Sequence, residues 1–228
     1  IHSTFVCFFV SILPGRGQLV ERNYSRSFNL SEETIKEIVT VKKEHIPFSD
    51  NEINLLWEHV NDKLFVDVLL IQCYSGWRPQ ELGLLKLENV DLENGTFSGG
   101  IKTDAGTDRV VPIHSKIYHL VERKYKEAQK LGSLYLFNYT NQNIRSKNTA
   151  LTYARYKQGF RMLRDELKLN PEHRPHDGRK HFVTMAKKYG VDEYAIKYMV
   201  GHSISDITEK VYTQREFEWL KEEIEKIK

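Results

Sequence analysis

Cysteine is scarce in this chain, since only Cys7 and Cys73 occur among its 228 residues. At most one disulfide bond is therefore possible, which excludes a small secreted scaffold held together by several cross-links. Proline and glycine are also few, at 6 and 13 residues, and these numbers exclude a collagen-like or low-complexity chain. We expect a hydrophobic core rather than disulfides to stabilise the fold, in a reducing, cytoplasmic environment.

The sequence also lacks a long hydrophobic run. Its longest apolar stretch, residues 5–13, falls well short of the roughly 20 residues that span a bilayer. No basic segment precedes this stretch, so we predict neither a membrane span nor a targeting signal. The chain begins with Ile1 rather than Met, and we expect a fragment or a processed product.

The net charge is only +3, but the charges are unevenly distributed. Residues 141–190 contain twelve basic and four acidic side chains, a net charge of +8, and the rest of the chain carries −5. A basic surface attracts polyanions, of which nucleic acid is the commonest. A solvated helix face with a chance excess of basic residues explains the same charges, so two interpretations remain open.

The hydrophobic pattern predicts a mainly α protein with a small antiparallel β-sheet (α+β). Ser49 and Glu52 form a capping box that predicts a helix start, and residues 64–74 predict a second, buried helix. Between Gly95 and Ile113 the period becomes that of strands around a glycine-containing turn, which predicts a hairpin or small meander. Further helices are predicted over 115–131, 149–167, 179–189, 193–200 and 216–227.

Residues 1–43 differ from the rest of the sequence in being largely irregular, apart from a helix start at Ser31. We interpret them as a linker or as the tail of another domain. Residues 44–228 contain the periodic segments and are expected to form one folded domain, which ends in a helix over 215–228.

Two basic residues, Arg78 and Lys102, lie in segments that are predicted to be buried or to form a strand. Arg78 follows the predicted buried helix, and a buried guanidinium needs a partner because an unpaired one is costly. An internal ion pair with Glu81 explains Arg78 without any catalytic role. Lys102 lies on the predicted hairpin, where a lone lysine usually protects a strand edge.

His173, His176 and His181 form a histidine-rich tract, for which a metal site is one interpretation. Their spacing is not a recognised zinc pattern and no thiol lies near, so we predict no metal. Residues 176–179, HDGR, instead predict a helix entry that presents the imidazole of His176 and the guanidinium of Arg179 from one turn.

Two further polar residues lie near the predicted ends of helices. Gly201 is expected to end one helix and to leave His202 in a loop. Tyr212 follows ten positions later. Taken singly, a histidine is more often a capping or packing residue than a catalyst, and Tyr212 is compatible with an amphipathic aromatic at a helix end.

The order of these residues is more informative than any one of them. Residues 76–82 (GWRPQEL), the hairpin over 101–112, residues 176–179 and residues 201–203 followed by Tyr212 resemble the tyrosine recombinases, the family of phage and conjugative-transposon integrases. The resemblance covers about residues 45–228, the catalytic domain of that family. It assigns catalytic roles to Arg78, Lys102, His176, Arg179, His202 and Tyr212.

The resemblance implies the tyrosine recombinase catalytic-domain fold and a site-specific recombinase that integrates or excises a mobile element. In such an enzyme Tyr212 would attack a DNA phosphodiester and form a 3′-phosphotyrosyl intermediate, and Lys102 would protonate the departing 5′-oxygen. His176 would draw the proton from the tyrosine, His202 would hydrogen-bond the phosphate, and strand exchange would pass through a Holliday junction. Because two arginines supply the positive charge, no metal or cofactor is expected.

The resemblance also implies partners. We expect double-stranded DNA, a homo-tetramer on that DNA with the C-terminal helix exchanged between protomers, a DNA-bending accessory protein and no membrane. Residues 1–43 would be the remnant of a core-binding domain, and the protein would be bacterial or phage-encoded. The residues predicted to bind DNA are Lys147, Arg155, Lys157, Arg161 and Lys180.

The sequence departs from the family pattern at two positions. Gly178 stands where the family often has leucine, and Lys180 stands where it often has histidine. Neither carries the chemistry, but both affect the entry of the helix that bears Arg179. The alternatives are a type IB topoisomerase, a non-catalytic DNA-binding module of the same fold, and metal-dependent hydrolysis at the histidine tract.

Overall fold

The computed structural model describes residues 44–101, 106–139, 150–203 and 217–228. The chain divides into the units Ile1–Glu44 and His45–Lys228, and the fold below is that of the second unit. None of the helices in the described ranges has the length and hydropathy that a membrane span needs. The elements are α1 (Asp50–Glu58), α2 (Val66–Ser75), α3 (Pro79–Gly83), a 3₁₀ helix (Leu87–Asn89), β1 (Val90–Asp91), β2 (Thr96–Gly99), β3 (Arg109–Pro112), α4 (Ser115–Lys130), α5 (Tyr153–Glu166), α6 (Asp177–Lys188), α7 (Glu193–Val200) and α8 (Phe217–Glu225).

Helix α1 begins at the predicted capping box. The Glu52 N–H donates to Ser49 Oγ at 3.3 Å, and the Ser49 N–H donates to the Glu52 carboxylate at 2.9 Å. These two bonds satisfy backbone donors that the first turn of a helix leaves free. Ile53 and Leu56 are buried on the face that packs against α2.

Helix α2 is the centre of the core, because all ten of its residues are buried. It packs most extensively against α6 and also against α4 and α1. Full burial of each large aliphatic side chain stabilises the fold by about 1.5–3 kcal/mol, which anchors α2 and the loop that follows it. The predicted buried helix over 64–74 is confirmed, with its start two residues later.

The sheet is an antiparallel meander in the order β1-β2-β3. Phe97 pairs with Val111, Gly99 pairs with Arg109, and Val90 pairs with Phe97. The predicted β2–β3 pairing is confirmed. Strand β1 was not predicted, because its two residues are too few to show a period.

Helix α8 packs against its own domain. Its sequence places Phe217, Leu220, Ile224 and Ile227 at intervals of three, four and three, which makes an apolar stripe along one side of the helix. Leu220, Ile224 and Ile227 of this stripe are buried in the core. The carbonyl oxygen of Ile227 accepts a 2.7 Å hydrogen bond from the buried His114 ring. In the single chain the stripe is therefore covered by its own domain, and the transfer of this helix to a neighbouring protomer stays a prediction.

Two glutamates of α8 strengthen this docking. Glu223 accepts a 2.8 Å hydrogen bond from the N–H of Asp192, the residue that caps α7. Glu225 accepts from the N–H and the hydroxyl of Ser115, the first residue of α4, each at 2.6 Å. Carboxylates are favourable beside helix N-termini, where backbone donors are unsatisfied.

We expect Leu220→Ala or Ile224→Ala to lower the free energy of unfolding by about 2–5 kcal/mol, because each leaves a cavity under α8. Urea denaturation of the full chain measures this loss. The exposed Glu222 is the control, and its substitution by alanine should change stability by less than about 0.5 kcal/mol. Unchanged stability in Leu220→Ala would mean that α8 leaves its own domain in solution.

Candidate active site

Four of the six predicted catalytic residues lie in the described ranges: Arg78, His176, Arg179 and His202. They stand at the start of α3, at the start of α6 and directly after α7. Lys102 and Tyr212 lie outside the described residues, as does Lys147 among the predicted DNA-binding residues.

Arg78 is placed by a sharp exit from α2. Gly76 ends that helix in the left-handed conformation, at φ 69°, and a side chain there would collide with the Phe182 ring. Pro79 then opens α3 and leaves Arg78 extended between them. The Arg78 guanidinium donates to Glu81 at 2.8 Å, so the ion pair considered from the sequence is present.

Arg78 also contacts the end of α7, because its Nη2 donates to the carbonyl oxygen of Gly201 at 3.3 Å. Gly201 adopts the left-handed conformation, at φ 64°. The His202 N–H closes the helix end on the carbonyl of Lys197 at 2.9 Å, as expected for a glycine C-cap. His202 therefore lies in a loop, as the sequence predicted, and the structure places it one residue from a contact of Arg78.

Arg179 lies on the first turn of α6 and is buried. Its Nη1 donates to the carbonyl oxygen of Gly76 at 2.8 Å, which joins α6 to the loop that carries Arg78. Its Nη2 is also buried and has no hydrogen-bond partner in the part of the chain that the structure describes. Burial and the nearby charges of Arg78 and Arg109 lower the pKa of Arg179 to about 9.

The same positive charges act on His202. Partial burial, followed by the charges of Arg179 and Arg78, holds the pKa of His202 below its ordinary value. At neutral pH the ring is therefore mainly uncharged and has one donor nitrogen. Arg78, Arg179 and His202 form a positively charged cluster, called the pocket below, whose guanidinium and imidazole donors suit a phosphate.

The sequence analysis did not single out Arg109, whose charge acts on Arg179 and His202 in this pocket. Arg109 is buried and donates to Glu81 at 2.8 Å, so that Glu81 carries one arginine on each carboxylate oxygen. Although burial alone would raise it, the bonds from Arg109 and Arg78 hold the pKa of Glu81 below its ordinary value. Alternate residues of a strand point to the same face, so Arg109 shares a face of β3 with the buried Val111. A charged residue on that buried face was the signal from which the sequence could have predicted a buried ion pair.

A second network holds the entry of α6. His45 and His173 donate to the two oxygens of the buried Asp177, at 2.6 and 3.0 Å. His173 also bonds the Glu52 carboxylate through its other nitrogen at 3.3 Å. Burial alone would lower the pKa of His173, but the hydrogen bonds from its ring to Asp177 and Glu52 raise it.

The three histidines of the tract do not converge. His181 donates to the carbonyl oxygen of Phe48 at 3.1 Å, whereas the His176 ring lies 5.6 Å from the ring of His45 and 6.2 Å from that of Tyr153. In the ranges that the structure describes, no group of three or more histidine, cysteine or acidic residues could hold a metal ion.

The described DNA-binding candidates lie on two helices. Lys157 and Arg161 are exposed at i and i+4 on α5, and Lys180 is exposed on α6. Arg155 is partly engaged, because it donates to the Ala150 carbonyl at 3.2 Å and lies 5.0 Å from the Tyr139 ring centre.

A model of the phage integrase family matches residues 29–218. The chain belongs to this family. Tyrosine recombinase XerA of Pyrococcus horikoshii is 31% identical over 202 residues, which are 88% of this chain and 61% of that protein. The chain spans about half to three fifths of the length of the curated relatives that it matches.

Solved structures of other integrases share the fold of this integrase-family chain. The integrase of mycobacterium phage Brujita has a TM-score of 0.62 at 15% identity, over 90% of this chain and 67% of the other. The Tn1549 transposon integrase, in complex with circular intermediate DNA, has a TM-score of 0.59 at 21% identity, over 89% and 70%. These likenesses confirm the predicted fold.

Gly178, where the integrase family often has leucine, has a local explanation in this chain. A side chain at Gly178 would collide with the amide oxygen of Gln72, a fully buried residue of α2. That oxygen accepts from the Tyr156 hydroxyl at 2.6 Å, and the Gln72 amide nitrogen donates to the Trp77 carbonyl at 3.2 Å. The glutamine thus occupies space beside α6 and holds the loop that precedes Arg78.

We expect Gly178→Ala to destabilise the protein by about 1–3 kcal/mol, because overpacking against Gln72 outweighs the gain of up to about 1 kcal/mol in helix propensity. Urea denaturation of Gly178→Ala, Gln72→Ala and the double variant measures the coupling. The double variant should be more stable than the sum of the single losses predicts. Strict additivity would show that the two residues do not compete for space.

Proposed function

We propose that this chain is the catalytic part of a site-specific DNA recombinase that integrates or excises a mobile element. The observation that carries the proposal is the buried Nη2 of Arg179, which has no partner among the described residues. A buried guanidinium nitrogen without an acceptor is costly, and a phosphate in the pocket would supply that acceptor. Arg78 and His202 lie at the same pocket and add positive charge and a donor.

The proposed reaction is a transesterification. The Tyr212 oxygen forms a bond to the phosphorus while the bond from phosphorus to the 5′-oxygen breaks, and His176 takes the tyrosine proton. Lys102 gives a proton to the departing 5′-oxygen. Arg78, Arg179 and His202 bind the nonbridging oxygens as charge develops on them. The arginines supply enough positive charge that we propose no metal or cofactor, and full cleavage is expected in excess EDTA.

Strand exchange follows from the energetics of this intermediate. The phosphotyrosyl bond keeps the free energy of the phosphodiester, so a 5′-hydroxyl from another strand reverses the step without ATP. Two duplexes contain four strands to cut, which requires four tyrosines and hence a tetramer on DNA.

Exchange of α8 between protomers and a DNA-bending accessory protein are further parts of this proposal. Residues 1–43 would then be the tail of a DNA-clamping domain, and residues 44–228 the catalytic domain.

The exposed basic side chains of α5 and α6 support DNA as the polyanion. Affinity that rests on phosphate contacts falls with salt, with a slope of about −0.9 in log K against log salt for each phosphate neutralised. Substituting Lys157 and Arg161 by glutamine should flatten this slope by about 0.9 for each phosphate that is no longer neutralised, whatever the base sequence. Binding isotherms at several salt concentrations measure it.

The matched control is the double glutamine variant of Lys126 and Lys130, two exposed lysines of α4 outside the basic stretch. Its slope should equal that of the wild type. If the Lys157 and Arg161 variant also keeps the wild-type slope, the basic stretch is a solvated face and does not bind DNA.

The decisive experiment is a covalent adduct assay. Nicked suicide duplexes that carry the end sequences of the element lose a short 5′-hydroxyl fragment on cleavage, so that the phosphotyrosyl protein accumulates and is detected on a denaturing gel. Adduct formation followed by joining to a second duplex supports a recombinase. Joining only to the original 5′-hydroxyl fragment, added back in excess, indicates a topoisomerase. Binding without an adduct indicates a non-catalytic module, and cleavage only with bound zinc indicates metal-dependent hydrolysis.

A further inference from the structure

Arg109, at the start of β3, connects three parts of the molecule through one guanidinium. Its Nη2 donates to Glu81 in α3 at 2.8 Å. Its Nη1 donates to the carbonyl oxygen of Gly106, in the segment that leads into β3, at 2.8 Å. Its Nε donates to the carbonyl oxygen of Met199, near the end of α7, at 2.9 Å. Because the donors of a guanidinium lie in one rigid plane, these contacts fix the three parts relative to one another.

The Arg109 guanidinium contacts an aromatic ring and a carboxylate, both of which stabilise its positive charge. The Arg109 carbon that bears the three nitrogens lies 3.9 Å from the centre of the Trp77 ring, a cation–π contact. Both Trp77 and Arg109 are buried. The Glu81 carboxylate that accepts from Arg109 also accepts from Arg78, so the two arginines share a single anion. Removal of the Arg109 side chain would leave that carboxylate without one of its two partners.

Glycines allow the backbone to close around this arginine. A side chain at Gly201 would lie 2.7 Å from the Cα of Gly106 and 3.1 Å from Arg109 Nη1. A side chain at Gly100, just after β2, would collide with the carbonyl group of Gly106. The end of β2, the segment at Gly106 and the end of α7 are therefore in close backbone contact, with the Arg109 guanidinium among them.

We propose that Arg109 is a positioning residue for strand cleavage, which holds the base of the β2–β3 hairpin against the pocket formed by Arg78 and His202. Lys102 lies in the sequence between Gly100 and Gly106, so the hairpin base determines where this lysine can reach. The inference rests on the proposed function, in which Lys102 protonates the leaving oxygen. Arg109 itself contacts no substrate in this role.

The test compares Arg109→Lys and Arg109→Ala on two suicide substrates, one with the natural 5′-oxygen at the cleaved bond and one with sulfur in its place. Lysine keeps the charge but cannot bond three acceptors at once, so it should not restore function. With the oxygen substrate we expect each variant to form the adduct on the order of 10²-fold more slowly, the scale of a small misplacement of a reacting group. With sulfur, which leaves as a thiolate without a proton, most of this effect should disappear.

Lys102→Ala and Arg78→Ala serve as reference variants for the sulfur effect. Lys102→Ala should be restored by sulfur to a similar degree, whereas Arg78→Ala, which removes a phosphate ligand, should be restored far less. Arg123→Ala is the structural control, since Arg123 also makes three hydrogen bonds, to Asn61, Val60 and Asp67, outside the pocket. It should cleave both substrates at the wild-type rate.

A second measurement does not depend on catalysis. Amide hydrogen exchange should increase in residues 96–101, 106–112 and 197–203 of Arg109→Lys and remain unchanged there in Arg123→Ala. Wild-type cleavage by Arg109→Lys, a sulfur effect no larger than that of Arg78→Ala, or unchanged exchange would each overturn the inference. If the wild-type protein forms no adduct, the proposed function fails, while the exchange comparison still decides whether Arg109 holds the hairpin.

Discussion

Tyr212→Phe is expected to reduce covalent adduct formation to background while the affinity for DNA stays at the wild-type level. The substitution removes only the attacking oxygen and keeps the aromatic ring. Free tyrosine, with a pKa of about 10, is a weak nucleophile at neutral pH, so no other tyrosine should replace one aligned with the phosphate and a proton acceptor.

The measurement pairs the adduct assay with a binding isotherm on the same duplex. Tyr189→Phe is the matched control, because Tyr189 is a half-buried tyrosine that follows α6, and it should cleave like the wild type. Cleavage by Tyr212→Phe at the wild-type rate would refute the assignment of the nucleophile. Loss of both cleavage and binding would instead show that Tyr212 serves the fold.

Arg179→Met should lower the cleavage rate on the order of 10²-fold to 10³-fold and, at the same time, stabilise the protein without DNA. The rate falls because a preorganised donor to the developing charge is removed. Stability rises because methionine removes a buried positive charge whose second nitrogen has no partner in the described chain. Replacing buried ionic groups by apolar side chains of similar size is often neutral or stabilising by up to about 4 kcal/mol. Loss of the charge-assisted bond to the Gly76 carbonyl offsets about 1.5–3 kcal/mol of this gain, so we expect a small net stabilisation.

Thermal or urea denaturation without DNA measures the stability, and the adduct assay measures the rate. Arg123→Met is the control, since its guanidinium is partnered and outside the pocket; it should lose stability and keep activity. Arg179→Lys should not restore cleavage, because lysine lacks the planar pair of donors. If Arg179→Met is less stable than the wild type, Arg179 stabilises the fold, and it is then not a phosphate ligand whose burial lowers the stability of the protein without DNA.

Local signals predicted the elements that carry the site. The capping box of Ser49 and Glu52 depends on residues three apart, and the end of α7 at Gly201 depends on one left-handed residue. Both are decided within a single helical turn, so they can be recognised without knowledge of the fold. The β2–β3 pairing was predicted for the same reason, because its strands are joined by a short segment.

The partners of buried charges were not predicted, apart from Glu81 beside Arg78. Arg109 bonds Glu81, 28 residues before it, and Met199, 90 residues after it. His45 bonds Asp177 across 132 residues. None of these three pairs leaves a periodic pattern in the sequence, because the partners meet only when the chain has folded. The docking of α8 on its own domain has the same character, since an apolar stripe shows that a helix is covered but does not show by which surface.

The sequence by itself determined the fold class, the family and the order of the catalytic candidates, because hydrophobic period, caps and turns are local and a family motif is read along the chain. The tertiary structure alone decided which groups are left unsatisfied. The second nitrogen of Arg179 is buried and has no partner among the described residues, and the helix that carries it, α6, packs against α2, which lies about a hundred residues earlier in the chain. Whether a polar atom has a partner depends on everything within a few ångströms of it, and those neighbours come from helices that are far apart in the chain.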